Sequence, residues 1–361
     1  MVLNVKYRWL CVLATLLASD IYAMCNTQVD IYRAKQINTK TICDKYGDEI
    51  STVLKLVPSL DKLGEKQQKQ LNRLIQNITD KVHKSGMYLY VNVGFIIYDD
   101  DKPHITIDVV EQQDKHRLEY FLKPPTKSIV VPDKLIEKWR EYEKIGMNIT
   151  LQEKKFLRSK NCPAYHCVFG FDHPKLQRYK QEFAKLVPKN KSELIAALKY
   201  DKDEKKRGVA AYLLAHIKDS NELVKILIPA MRDYSSYVRN SVMRVLGATV
   251  EKTNIASLHL VKETVTALDF PAVTDRNKAL YILKGLAQHP KYVPYIIRGA
   301  NIKLLENLKM LQPNLHENAY VVLQEISGKK YGKREYLVWE AWCDGFIRAT
   351  DKISKQKRMT R

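Results

Sequence analysis

The sequence predicts a mostly helical chain in which an α+β domain is followed by an all-helical half. Apolar residues alternate with polar ones through residues 89–97 and again through 105–109, which is the pattern of β-strands. From about residue 186 to residue 346 this alternation is absent, and apolar residues recur at helical spacing. The length of 361 residues fits two domains.

The N-terminus has the layout of a signal peptide. Lys6 and Arg8 precede an unbroken apolar run over residues 9–18, and Ala23 supplies a small residue for cleavage. A membrane span needs roughly 20 apolar residues, which this run does not reach. We therefore expect residues 1–23 to be removed near Ala23, leaving a periplasmic or secreted protein with no transmembrane span. An uncleaved anchor is the alternative.

Export has a consequence for the cysteines, because disulfides persist in oxidising compartments. Cys25 with Cys43, and Cys162 with Cys167, are close enough in sequence to form local bridges, although spacing alone does not determine pairing. Cys343 would then be left over and buried.

The α+β domain is predicted to cover residues 24–185, with a small antiparallel sheet. A long amphipathic helix over residues 59–84 precedes the two strands, and a turn at Asp99, Asp100 and Asp101 joins them. Residues 117–122 and 128–131 are predicted to extend the sheet, before a helix over residues 132–144. The aspartates of the turn also suggest calcium, but a charged hairpin turn is the simpler interpretation.

The helical half contains an internal repeat. Arg207, Arg239 and Arg276 each begin the same pattern, with a small or branched residue three positions later and aliphatic residues six and seven positions later. A weaker fourth copy begins at His316. The spacings of 32, 37 and 40 residues fit two-helix solenoid repeats. Acidic turn residues precede each of the three arginines, namely Asp203 with Glu204, Asp233 and Asp275.

On these residues, the region 186–346 resembles the HEAT-repeat family, including its short lyase-type repeats. The resemblance implies a HEAT-like α-solenoid, in which helix pairs stack and present an extended concave surface for binding. The closing segment, from Gly328 to Trp339 and Trp342, is similar to the cap of exported members. Residues 347–361 are expected to form a basic, disordered tail.

The repeated arginines allow two interpretations. They could line a groove for an anionic ligand, or they could form an internal ladder in which Arg207, Arg239 and Arg276 pair with acidic turn residues such as Asp233 and Asp275. The arginines and aspartates recur in phase, and a bidentate pair between them is geometrically favourable. We therefore favour the ladder.

The chain is strongly basic, with a formal net charge of +21. This charge predicts acidic partners, although a solvated basic surface without a specific partner is the plain alternative. The export signal argues against nucleic acid and favours an acidic protein or an anionic envelope polymer. The candidate binding residues form two clusters: Lys202, Lys205 and Lys206, and Lys329, Lys330, Lys333 and Arg334.

One short segment concentrates groups that could do chemistry. It contains Cys162, His166, Cys167, Asp172 and His173. A disulfide needs only oxidation and suitable geometry, whereas a zinc site would need the adjacent His166 and Cys167 to reach one ion. A Cys167 nucleophile served by His173 and Asp172 is the third alternative.

These patterns predict an exported, non-enzymatic binding or scaffold protein without a cofactor. It would engage its acidic partner through the basic helical repeats. The alternative is a metal- or thiol-dependent envelope enzyme centred on His166, Cys167, Asp172 and His173. The sequence contains no Gly-rich phosphate loop, nucleophile elbow or His-Glu-x-x-His helix, which lowers the case for an enzyme.

Overall fold

The computed structural model describes residues 25–57, 65–97, 102–153 and 162–359. The predicted signal peptide and the Asp99–Asp101 turn lie outside these residues. The chain divides into two compact units, one running to Arg117 and including Lys309–His316, the other comprising Leu118–Leu308 and the residues from Glu317 onwards. The sequence predicted a boundary near residue 185. The division between the two units lies earlier, because the helix Leu135–Glu153 and the Cys162–Cys167 loop pack against the helical half.

The first unit contains a three-stranded mixed sheet. Strand β1 (Val29–Tyr32) pairs in parallel with β3 (Pro103–Glu111), which pairs antiparallel with β2 (Tyr88–Ile97), so that β3 is central. Every residue of β3 is buried. Its apolar and polar residues are thus both covered, as is usual for a strand with packing on both faces.

Two helices accompany this sheet. Helix α1 (Thr39–Leu56) is capped by Asn38, whose side chain accepts a hydrogen bond from the Thr41 amide at 2.9 Å, and α2 (Glu65–Lys84) buries Leu71, Ile78 and Val82. The Cys25–Cys43 disulfide links the start of the unit to α1. This core holds the aliphatic residues of both helices and of the sheet.

The predicted extension of the sheet after β3 is wrong. Gln112–Leu118 forms a short 3-10 helix, and the third strand is β1 at the start of the chain. The segment from Leu118 to residue 131 instead lies along turns of the second unit, where Leu122 N donates to Arg232 O at 2.8 Å and Lys127 N to Tyr200 O at 3.2 Å. The local sequence pattern predicted a non-helical segment here, but it did not predict that this segment would contact helix turns rather than the sheet.

The second unit is helical. Its helices are α3 (Leu135–Glu153), α4 (Pro174–Lys189), α5 (Lys191–Tyr200), α6 (Glu204–Leu214), α7 (Ser220–Leu227), α8 (Ser236–Thr253), α9 (Leu258–Ala267), α10 (Val273–Leu286), α11 (Val293–Lys309), α12 (Pro313–Ser327) and α13 (Tyr336–Met359). Helices α6, α8 and α10 pack against one another in that order, and α5, α7 and α9 each pack on the helix that follows them. Part of α11–α12, Lys309–His316, belongs to the first unit.

The C-terminal segment is helical where the sequence predicted a disordered tail. Helix α13 continues to Met359, and Arg298 on α11 donates to Thr350 Oγ1 at 3.0 Å and pairs with Asp351 at 2.5 Å. Trp339 is buried near its start and donates to Gly332 O at 3.0 Å. These contacts supply the tertiary support that composition does not reveal.

Cys343, also on α13, is buried and free, and burial together with Asp344 and Glu340 raises the pKa of its thiol to about 11. Among the described residues, none of the helices combines the length and apolar character needed to cross a membrane.

Candidate functional site

Two of the three repeated arginines, Arg207 and Arg239, lie in buried ion pairs that join successive helix pairs. Arg207 on α6 donates to both carboxylate oxygens of Asp233 at 2.8 and 2.7 Å, and Arg239 on α8 donates twice to Asp275 at 3.0 and 2.7 Å. Arg276 is fully buried, and its guanidinium donates to Pro271 O at 2.5 Å. These groups are therefore occupied inside the unit rather than presented to a ligand.

The first predicted basic cluster divides into free and engaged side chains. Lys202 is exposed, and the Nζ atom of Lys205 lies 3.9 Å from the centroid of the Tyr237 ring. Lys206 instead pairs with the buried Asp201 at 3.0 Å and also contacts the carbonyl of Ile129. Lys206 thus holds the extended segment in place, so its predicted role as a surface ligand is not supported by this geometry.

The second predicted basic cluster shows a similar division. Lys333 pairs with Glu317 at 2.5 Å, and Arg334 donates to the Tyr336 hydroxyl at 2.8 Å. Lys329 and Lys330 are exposed. Two of these four side chains therefore have partners on neighbouring residues.

The Cys162–His173 segment does not assemble the arrangement that the enzyme alternative requires. Cys162 and Cys167 are at disulfide distance, with 5.9 Å between their Cα atoms, so the Cys167 sulfur is bonded rather than a thiolate. His173 caps α4, where its Nδ1 accepts from the Lys175 amide at 3.2 Å, and Asp172 is exposed. Within the described part of the chain, no three His, Cys, Asp or Glu side chains are grouped as metal ligands.

His166, by contrast, is placed against the helices. Its imidazole stacks on the ring of Tyr212 with centroids 5.7 Å apart, and Tyr212 stacks on Trp139 of α3 at 5.4 Å. The disulfide loop is held by a hydrogen bond from the Tyr165 amide to Ala215 O at 2.9 Å. It is also held by Lys252, whose Nζ atom lies 2.8 Å from Ala164 O. The loop thus brings His166 to the face shared by α6 and α8.

Close packing at glycines sets the register of this face. A Cβ added to Gly247 on α8 would lie 2.3 Å from Tyr281 on α10, and one added to Gly285 would lie 2.4 Å from Val250. The contact moves from Gly247 to Val250 along α8 and from Tyr281 to Gly285 along α10. Both helices therefore run in the same direction. One turn before the Gly247–Tyr281 contact, Arg244 on α8 therefore faces Lys278 on α10.

The same argument places Tyr212 beside Arg244. A Cβ on Gly208 of α6 would lie 2.4 Å from Tyr237 and 3.1 Å from Ser241 Oγ, both on α8. Burial raises the pKa of the Tyr212 hydroxyl and the charge of Arg244, one turn after Ser241 on α8, opposes that rise, so the two side chains lie near one another. We call His166, Tyr212, Arg244, Lys252 and Lys278 the basic cluster.

The electrostatics of the basic cluster reflect its missing counter-charge. Burial, and then the charges of Arg244, Lys278 and Lys252, lower the pKa of His166 to about 4. Burial and Arg244 lower the pKa of Lys278 to about 7. Within the described residues, neither Arg244, Lys252 nor Lys278 has a carboxylate within 4.0 Å, and His166 Nε2 is buried without a hydrogen-bond partner.

Acidic and tyrosyl groups border the basic cluster. The Tyr281 hydroxyl donates to Glu251 at 2.7 Å, and the charge of Glu251 favours the charged form of the adjacent Lys252, against burial, which lowers the pKa of that lysine. On α3, burial raises the pKa of Glu143, against the charges of Lys205 and Arg140. The cluster is thus a patch of positive charge set among aromatic rings.

Sequence reasoning missed Arg244, Lys252 and Lys278. A signal existed for one of them: Tyr212, Arg244 and Tyr281 each follow a repeated arginine by five residues, and so occupy one equivalent position on α6, α8 and α10. Comparison of the chain with protein-family models, curated proteins and solved structures gave no match.

Proposed function

We propose that this is an exported, non-enzymatic binding protein whose helical repeats form a HEAT-like α-solenoid and engage an acidic protein segment. The solenoid assignment is supported by the recurring arginine pattern, the parallel packing of α6, α8 and α10, and the ion pairs that link them. Export is supported by the signal-peptide layout and the two cysteine pairs at disulfide distance.

One observation carries the binding proposal. Arg244 and Lys252 are exposed and Lys278 is half-buried, and the three come together from two helices with no carboxylate within 4.0 Å among the described residues. Like charges repel, and burial together with Arg244 lowers the pKa of Lys278, so an opposite charge bound here would favour its charged form. An anionic partner would supply that charge.

Aromatic side chains favour a protein as the source of the charge. Tyr237 lies under Lys205, Tyr281 lies beside the basic cluster, and Tyr234 is 62% exposed at the preceding turn. Tyrosine and arginine are enriched at protein–protein interfaces, where they combine apolar contact with hydrogen bonding. An extended acidic segment could contact both kinds of group.

The test measures binding of a polyglutamate peptide to the intact, oxidised protein at low ionic strength. Arg244→Glu and Lys205→Glu are expected to weaken binding at least tenfold. Lys262→Glu is the matched control, because Lys262 is exposed on α9 and no carboxylate among the described residues lies within 4.0 Å of it. Its effect is expected to be less than threefold, since it changes the net charge equally without touching this face.

Two further measurements test the other candidate binding surface and the other candidate partner. Lys329→Glu with Lys330→Glu tests the C-terminal cluster, and phosphatidylglycerol vesicles test an envelope polyanion. Loss of peptide binding only in the Lys329/Lys330 variant would overturn the assignment to α6, α8 and α10. Binding to vesicles without binding to polyglutamate would overturn the acidic-protein assignment.

A further inference from the structure

We propose that the basic cluster is a binding site for one tetrahedral dianion, a phosphate or sulfate group. The inference deepens the proposed function and rests on it only for the idea that such a group is carried by the acidic partner. The site itself is argued from four elements of one unit: the disulfide loop, α6, α8 and α10.

The positions of the cations favour a compact anion. The register of α8 and α10 sets Arg244 opposite Lys278, and the register of α6 and α8 sets Tyr212 beside Arg244. His166 stacks on Tyr212 from the loop, and Lys252 contacts the same loop two residues away. Donors thus approach from several directions, which suits the four oxygens of one tetrahedral group better than the two oxygens of a single carboxylate.

The charge also favours a dianion. An arginine fork and two lysines provide three positive charges and several N–H donors, and none of them has a carboxylate partner among the described residues. His166 is neutral near pH 7, so it offers hydrogen bonding without adding charge. Its Nε2 atom is buried and has no partner in the part of the chain that the structure describes. Such an atom is satisfied when a ligand or an ordered water reaches it.

The disulfide has a defined part in this site. The Cys162–Cys167 bridge closes the loop that carries His166, and Tyr165 and Ala164 attach that loop to Ala215 and Lys252. An oxidised loop therefore completes the site. The same segment that suggested catalysis from sequence serves here as a wall for the bound anion.

The experiment titrates the intact, oxidised protein with sulfate at pH 6.0 by calorimetry, with chloride holding the ionic strength constant. Sulfate is expected to bind at one site, and acetate at least tenfold more weakly. Lys278→Met and Arg244→Gln are each expected to weaken sulfate binding at least tenfold. Lys278→Met keeps the side-chain volume and removes a desolvated charge, so it is expected to fold at least as stably as the parent protein.

The matched control is Lys262→Gln, which is expected to change sulfate affinity less than twofold. Equal affinity for sulfate and acetate, or unchanged sulfate affinity in Lys278→Met, would overturn the site. Inorganic phosphate, which is mainly a monoanion at pH 6.0, tests whether the second negative charge is needed. Weaker binding than acetate by both sulfate and phosphate would also overturn the site.

The two proposals fail in different ways. Polyglutamate binding with no sulfate binding would overturn the dianion site and leave the binding function standing. Sulfate binding that is weakened by Lys278→Met and Arg244→Gln supports the dianion site even if polyglutamate does not bind. In that case only the proposal of an acidic protein partner is overturned.

Discussion

Arg239 on α8 and Asp275 on α10 form a buried ion pair with two hydrogen bonds, at 3.0 and 2.7 Å. The remaining guanidinium nitrogen donates to Asp233 O at 2.8 Å, and the ring of Phe121 lies 4.0 Å from the guanidinium carbon. The carbonyl that Arg239 contacts belongs to the residue that pairs with Arg207. Each link of this series therefore positions the next.

Removing one member of a buried pair leaves an uncompensated charge, so Arg239→Leu is expected to lower the free energy of unfolding by about 3–5 kcal/mol. Arg298→Leu is the comparison, because the Arg298–Asp351 pair is exposed and such pairs contribute about 0–1 kcal/mol. Chemical denaturation with matched slopes measures both. Equal losses in the two variants would contradict the structural role of the Arg239 pair.

Gly247 is required by close packing between α8 and α10. Gly247→Ala would place a Cβ 2.3 Å from the Tyr281 ring, and we expect a loss of about 1–3 kcal/mol in unfolding free energy. Gly345→Ala on α13 meets nothing within 4 Å, so helix propensity predicts a gain of about 0.5–1 kcal/mol. Thermal unfolding of the two variants distinguishes them by sign. A stabilised Gly247→Ala protein would refute this register.

His216 makes stability sensitive to acid. It is buried against Phe171 and Phe183, and burial lowers its pKa to about 4 from an ordinary 6.5. Below pH 6.5 the unfolded chain binds a proton at this imidazole, whereas the folded protein binds it only near pH 4. The contribution of neutral His216 to the free energy of unfolding is therefore complete above pH 6.5 and is lost as the pH falls through 4. The loss attributable to His216 approaches about 3 kcal/mol.

His216→Phe retains an aromatic ring and removes the titration. Its unfolding free energy is expected to fall less than that of the parent between pH 7 and pH 4, although His166 still contributes in both proteins. Parallel curves for the two proteins over this range would show that His216 is not the responsible group.

Sulfate affinity is expected to decrease as the pH rises. The pKa of Lys278 is about 7, so the free site loses one positive charge above that pH. The pKa of His166 is lowered to about 4, so the charge of this imidazole does not change between pH 6 and pH 8. Between pH 6 and pH 8 the affinity should fall about tenfold, which corresponds to one pH unit above the pKa.

The same titration in Lys278→Met is expected to be flat over this range, since the only group of the cluster that titrates there is gone. Calorimetry at four pH values measures both proteins. An unchanged slope in Lys278→Met would assign the pH dependence to another group.

The sequence predicted β2, β3 and the helical character of the second half, because these depend on periodicity over a few neighbouring residues. It misplaced the third strand. The four residues of β1 carry little pattern, and their pairing with β3 joins residues about 76 positions apart, such as Val29 and Ile105. Residues 122–131 lie outside the helices and strands but hydrogen-bond to helix turns through Leu122 and Lys127, and local pattern does not distinguish that state from a strand.

For the candidate site, the sequence drew attention to the Cys162–His173 segment for a different reason. Cys162 and Cys167 are at disulfide distance, as their spacing and the expected compartment predicted. The importance of His166 arises from its stacking on Tyr212, a residue 46 positions away. Lys206, predicted to face a ligand, pairs with Asp201 because the extended segment covers it.

By itself, the sequence determined the positive charge and the helical character of the second half, since each follows from composition or from contacts within a few turns, and it led us to expect local cysteine pairs without determining the pairing. Only the tertiary structure decided which cations meet. Arg244 and Lys278 lie on different helices, and they face one another because the glycines at 247 and 285 let α8 and α10 approach in parallel. Helical periodicity indicates which face of a helix is apolar. The register between two helices depends instead on how their side chains pack together.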